Sequence, residues 1–299
     1  MFGANTSGEL RGDYTHARAD FTIDQDMRLY SAADQAMWRN LYSRQSRIVQ
    51  GYACAEFLEG LKLLNAADRI PQLERISDAL YARTGWRLAA VPGFIPDVAF
   101  FEHLSQRRLP VTVWLRKPEE IDYLVEPDMF HDFFGHVPML FHPVFADYMQ
   151  LYGQRGLEAA GEKALPLLAR LYWYTVEFGL IDTADGLRTF GSGILSSAGE
   201  TPFSIASAEP HRVRFVLERV MRTRYLIDDF QKTYFVVRSL DELHRAVAQD
   251  LRPAYRKLAT SMDLDPACLY AGDESVAAGP VVRSSFIDSG TFDAPARLA

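Results

Sequence analysis

Two histidines, His131 and His136, lie five residues apart in the run Glu126-Pro127-Asp128-Met129-Phe130-His131-Asp132-Phe133-Phe134-Gly135-His136-Val137-Pro138. Farther on, a lone carboxylate, Glu177, interrupts the apolar and aromatic run Leu171-Tyr172-Trp173-Tyr174-Thr175-Val176-Glu177-Phe178-Gly179-Leu180. A carboxylate in such a run is costly to bury unless it is paired or bound to a metal. If the three side chains converge, a domain boundary between residues 126 and 200 would split the site, so one domain has to carry them all. Two imidazoles and one carboxylate can occupy one face of an octahedral metal and leave positions open. That pattern suits non-haem Fe(II) that activates dioxygen.

On an unbroken α-helix, residues five apart point about 140° away from each other. The spacing therefore predicts a helix opened by Pro127 that carries His131 and ends near Gly135, letting the chain swing His136 back. It differs from the HExxH zinc-protease pattern, which needs two histidines at i and i+4 with a glutamate between them. The competing reading is two histidines bonded to backbone at a helix end and a Glu177 paired with an arginine. The residues alone leave both readings open. His16, His103, His142, His211 and His244 read as surface or turn residues, with His142 nearest the site in sequence.

The chain has 299 residues, 48% of them hydrophobic, enough for an ordinary globular core, and a net charge of −7. That charge argues against a nucleic-acid surface, which needs a basic patch or stripe. Arg44, Arg47, Arg212, Arg214, Arg219, Arg222 and Arg224 alternate with apolar or acidic residues and read as solvated helix faces. The two cysteines, Cys54 and Cys268, form no CxxC pair, which fits a reducing compartment. Residues 1–20 lack an apolar signal segment, and no run reaches the roughly 18 apolar residues of a membrane span. A cytoplasmic location is expected, with no membrane and no nucleic-acid partner.

Apolar periodicity predicts a long or broken helix over 32–64 and another over 67–84, stopped by Gly85. Residues 91–96 are dense in turn formers, 99–106 read as a short helix, and 111–115 as the best strand. Helices are expected over 143–152, 162–180, 209–222 and 241–258, with short strands at 188–190 and 234–237. This gives a mainly α chain with a few short strands: a loose lead-in over 1–20, a catalytic domain over 21–270, and a tail over 271–299 ordered only where it packs.

These segments closely resemble the pterin-dependent aromatic amino acid hydroxylases. The likeness runs from about Ala67 to Leu243. It rests on Glu126 through Pro138, on Trp173 through Gly179, and on Gly191-Ser192-Gly193-Ile194-Leu195-Ser196-Ser197-Ala198-Gly199-Glu200. It also rests on Asp229-Phe230-Gln231 leading to Tyr234-Phe235-Val236. All occur in the family's order and at its separations.

The resemblance implies a single catalytic domain of that family's type, with His131, His136 and Glu177 as ligands of Fe(II). It implies tetrahydropterin, either tetrahydrobiopterin or a relative, bound by Gly93, Ile95, Asp97 and Phe100, with Phe100 stacked on the ring. Asp132 stands where animal members have a glutamate that reaches pterin through water. The family's substrate-carboxylate arginine falls on Arg116, whose planar fork suits a carboxylate. Tyr123, Pro127, Phe130, Trp173 and Ser196 match residues around the amino acid. Trp173, and Ile227 where tyrosine hydroxylases carry Asp, point to L-phenylalanine, hydroxylated to L-tyrosine with O2 as co-substrate. A pterin-recycling enzyme is then an expected partner in metabolism. The sequence shows neither the animal regulatory domain nor a C-terminal apolar heptad run, so a monomer is expected. Hydroxylation of tryptophan or another aromatic amino acid, or a protein that binds metal or amino acid without turnover, are the alternatives.

Overall fold

The computed structural model describes residues 10–281 apart from Tyr123 and Val125. The expected substrate contact Tyr123, the first nine residues of the lead-in and the tail beyond 281 therefore lie outside the described residues.

Helix α1 (Ala32–Ile48) opens on a capping box: the Ser31 hydroxyl accepts from Asp34 N–H, and the Asp34 carboxylate accepts from Ser31 N–H. The helix expected over 32–64 as long or broken is broken. The chain turns at Gly51 (φ 80°), and Tyr52 and Cys54 form hydrogen bonds with Thr189 before α2 (Ala55–Leu64) begins. Helix α3 (Leu73–Thr84) starts later than expected and stops at Gly85, which takes φ 76° and donates its N–H to Tyr81.

Strand β1 (Arg87–Val91), unforeseen from the sequence, pairs in parallel with β2 (Arg108–Thr112) across α4 (Asp97–Ser105). β2 is shifted three residues toward the N-terminus of the predicted strand. Helix α5 (Pro143–Gly161) lies against α4 at very short range: a Cβ on Gly156 would meet the Phe101 ring at 1.9 Å. Helix α6 (Leu165–Tyr172) runs directly into the Glu177 segment.

Beyond it, β3 (Leu180–Thr183) and β4 (Gly186–Thr189) form a hairpin, followed by α7 (Ser192–Leu195) and α8 (Glu200–Ala206). The helix expected over 209–222 is corrected. His211–Arg214 is strand β5, and only Leu217–Arg222 is helical (α9). β5 pairs in parallel with β6 (Thr233–Val237), giving a four-stranded sheet of order β4-β3-β6-β5. The last predicted helix divides into α10 (Leu240–Ala248), capped by Ser239, and α11 (Arg252–Leu258).

Two arginines read as solvated are buried. Arg212 donates to the carbonyls of Ser204, Phe203 and Ser207, which end α8, and Arg219 forms a bidentate pair with Asp273. His103 is buried as well, its Nε2 2.8 Å from the Asp20 carbonyl. The lead-in is not loose over its described part, because the Tyr14 hydroxyl donates to Phe94 O and the Arg11 guanidinium lies over the Trp114 ring. Residues 273–279 pack too: Val276 N–H donates to Arg212 O and Gly279 N–H to Ile205 O. Cys54 is buried and Cys268 exposed, both as free thiols. Among the described residues no helix is long and apolar enough to cross a membrane.

Candidate metal centre and adjoining clefts

The two histidines meet by a route other than the one expected. The helix does not end at Gly135. His131–His136 is a π-helical turn, followed without interruption by a 3-10 turn over Val137–Phe141. In a π turn the backbone bonds i to i+5, so residues five apart are brought onto one side. The imidazole centroids lie 5.2 Å apart at 82°. Gly135 serves another purpose: a Cβ there would stand 2.8 Å from Ser192 O, so only glycine lets α7 approach this turn.

Glu177 also sits on a π turn, Trp173–Glu177, closed by Phe178 N–H donating to Trp173 O at 2.8 Å. Within it the Thr175 hydroxyl donates back to Leu171 O, the kind of side-chain bond that bends helices. The carboxylate faces both imidazoles. Its Oε1 is 3.3 Å from His136 Nε2, its Oε2 is 3.5 Å from His131 Nε2, and the three donor atoms lie within 4.8 Å of one another. Glu177 Oε1 and His136 Nε2 are buried and have no hydrogen-bond partner. Buried polar atoms are nearly always satisfied, so two orphans aimed at one point fit a cation held between them. The donor set, two nitrogens and one oxygen on one side, fits a six-coordinate transition metal with open positions.

Neighbouring groups prepare these atoms. The Ser196 hydroxyl donates to Ser192 O at 2.8 Å, so its oxygen accepts from His131 Nδ1–H at 2.9 Å, which leaves the Nε2 lone pair toward the centre. Burial pushes the Glu177 carboxyl up, but the two imidazoles and Ser192 outweigh it and hold it down at about 2. Burial holds the His131 imidazole below its ordinary range despite Glu177. At His136 the carboxylate outweighs burial and holds the imidazole up.

Arg116 is not a surface arginine. It is buried and clamped by Asp128, with Nε and Nη2 each 2.9 Å from a carboxylate oxygen. Asp128 also accepts from Arg116 N–H and from His131 N–H at 3.0 Å. Burial pushes Asp128 up, yet Arg116 and the His131 amide hold it below the usual carboxylate range. Phe130 lies beneath this pair, 5.5 Å from the guanidinium carbon, and stacks on Phe134. Asp128 escaped the sequence reading. Its signal was position, three residues before His131 at a helix start.

Gly93, Ile95, Phe100 and Asp132 line one cleft together with Pro127 and Thr112. Asp132 is buried and accepts from Thr112 N–H, and burial raises its carboxyl despite the two histidines. Asp97 is set apart from these four and lines a different hollow with Arg170, Arg224 and Tyr225. Trp173 stacks on Tyr225 at 4.3 Å, and its Nε1–H donates to Gln231 Oε1. Ile227 is exposed.

A fold that joins a two-histidine, one-carboxylate centre to such a cleft defines a class of non-haem metal enzyme. Residues 12–263 match the profile of the biopterin-dependent aromatic amino acid hydroxylases. The chain belongs to that family. It is 55% identical over 267 residues to a phenylalanine-4-hydroxylase of Chromobacterium violaceum, spanning 87% of this chain and 90% of that protein. It is 50% identical over 273 residues to a phenylalanine-4-hydroxylase of Caulobacter vibrioides, spanning 91% and 93%. The Chromobacterium violaceum phenylalanine hydroxylase solved with bound oxidized Fe(III) superposes with a TM-score of 0.86 at 52% identity, over 88% of this chain and 96% of that one. The iron- and phenylalanine-bound structure of that enzyme superposes with a TM-score of 0.84, over 87% and 96%.

Proposed function

We propose that this chain hydroxylates L-phenylalanine to L-tyrosine, using dioxygen and a tetrahydropterin, with Fe(II) held by His131, His136 and Glu177. The observation that carries the proposal is the pair of buried, unpartnered donor atoms, Glu177 Oε1 and His136 Nε2, converging beside His131 Nε2. The names and the bound iron and phenylalanine of the similar enzymes support the choice of metal and substrate.

When bound, iron and reduced pterin supply the redox chemistry, and the protein supplies position and surroundings. Arg116 offers its outer Nη edge to the substrate carboxylate, because Asp128 already holds the Nε–Nη2 edge. Phe100, Gly93 and Ile95, which line one cleft, would hold the pterin. Asp132, buried at the cleft floor beside His131, is positioned to face the same ligand. Trp173 and Phe130 wall the amino-acid side, with Phe130 acting through the Arg116 it supports. Ser196 keeps His131 in the tautomer that can bind metal.

Within the same proposal the chain acts as a cytoplasmic monomer over a catalytic unit of residues 21–270, in phenylalanine catabolism with a pterin-recycling enzyme. Sedimentation tests the monomer. Comparing kcat/KM for phenylalanine, tyrosine and tryptophan tests the substrate. Preference for phenylalanine is expected, and preference for tryptophan would move the chain to the other specificity of its family.

A further inference from the structure

Ser192, the first residue of α7, is buried and touches both ligand-bearing turns. Its hydroxyl lies 2.8 Å from Glu177 Oε2 and 3.0 Å from Val176 O. A serine has one hydroxyl proton, and an ionised carboxylate is the stronger acceptor, so the proton goes to Oε2. That bond orients the carboxylate, whose Oε1 has no hydrogen-bond partner and faces His136 Nε2 and whose Oε2 faces His131 Nε2. The carbonyl of the same residue accepts the Ser196 hydroxyl, whose oxygen takes the Nδ1–H of His131. The missing Cβ at Gly135 lets this carbonyl come so close.

We propose that Ser192 is a positioning residue for the metal centre: its hydroxyl fixes the orientation of the Glu177 carboxylate, and its carbonyl, through Ser196, sets the His131 tautomer. This rests on the assignment of His131, His136 and Glu177 as ligands.

The test is Co(II) titration of the full chain freed of metal, followed by visible d–d absorption, with thermal melting as the control for folding. Ser192→Ala removes the hydroxyl and keeps the carbonyl. Loss of such an outer hydrogen bond costs roughly 10- to 100-fold in metal affinity, and that weakening is expected, with a change in the d–d spectrum. Ser192→Cys, of similar size but a weaker donor, is expected to fall between the parent and Ser192→Ala, and it decides the matter if the alanine variant does not fold. Glu177→Ala separates this proposal from the ligand assignment. If Glu177→Ala loses Co(II) while Ser192→Ala keeps the parent's affinity and spectrum, the role of Ser192 is overturned and the ligands stand. If Glu177→Ala itself binds like the parent, the assignment falls and takes the role of Ser192 with it.

Discussion

Asp128 accepts hydrogen bonds from both Arg116 and the backbone of His131, so one buried carboxylate joins Arg116 to the turn that carries His131 and His136. Neither partner can shift without disturbing the other. The buried pair also makes Arg116 a structural residue, whatever it binds.

Arg116→Ala should therefore do two things. It should raise the KM for phenylalanine, and it should destabilise the fold by about 3–5 kcal/mol, the usual cost of leaving a buried ion without its partner. Asp128→Asn should raise the same KM more modestly, since an amide can still accept from the His131 N–H. Steady-state kinetics and urea unfolding on the same samples check both. An Arg116→Ala enzyme with unchanged KM would remove Arg116 from the substrate site.

Phe100→Ala should raise the KM for tetrahydropterin with little change in that for phenylalanine. The ring lies with Gly93, Ile95 and Asp132 in a cleft distinct from the Arg116 side chain's clamp. Base-like rings stacked on aromatic side chains lose about 1–3 kcal/mol on truncation to alanine, so a KM rise of roughly tenfold or more is expected. A rise confined to phenylalanine would reverse the two sides of the site.

Glu200 provides a pH test. It is buried, accepts from the Tyr234 hydroxyl and from Gln231 N–H, and burial holds its carboxyl up at about 7 against an ordinary 4.5. The folded chain thus keeps a proton that the unfolded chain releases. The stability from this group is fully present below pH 4.5 and is lost as pH rises through about 7. Glu200→Gln should flatten that loss, which is on the order of 3 kcal/mol. Urea unfolding of the two proteins across this window reads it directly. Parallel pH dependences would contradict the assignment.

Gly156→Ala should cost about 1–3 kcal/mol or more, because its Cβ would enter the Phe101 ring where α4 meets α5. Thermal melting checks this. An unchanged midpoint would mean that the two helices separate readily.

Much of the fold was legible where local chemistry decides structure. Gly85 marked a helix end that the backbone uses. Tertiary context decided the rest. His211–Arg214 carries helix-compatible residues but is captured as a strand beside β6, and Arg212 is buried because α8 ends on carbonyls that need donors. At the site, residue types identified the three candidate ligands. The π turns that unite them did not show, because side-chain periodicity is read at 3.6 residues per turn and an i+5 register looks like a mismatch. Arg116, Phe100 and the other candidate pterin contacts came from family likeness, since an arginine after a strand carries no local sign of its buried partner. Ser192 lies in a run that carries the family likeness, but its hydrogen bond to Glu177 had no local sign.

The proposed reaction at this centre needs iron and pterin together. The most direct measurement is aerobic turnover of phenylalanine by metal-free protein reconstituted with Fe(II) and tetrahydropterin, with zinc in place of iron as control and products separated by chromatography. Para-tyrosine is expected only when iron and pterin are both present, and none from Glu177→Ala. Para-tyrosine with zinc, or full activity in Glu177→Ala, would contradict it.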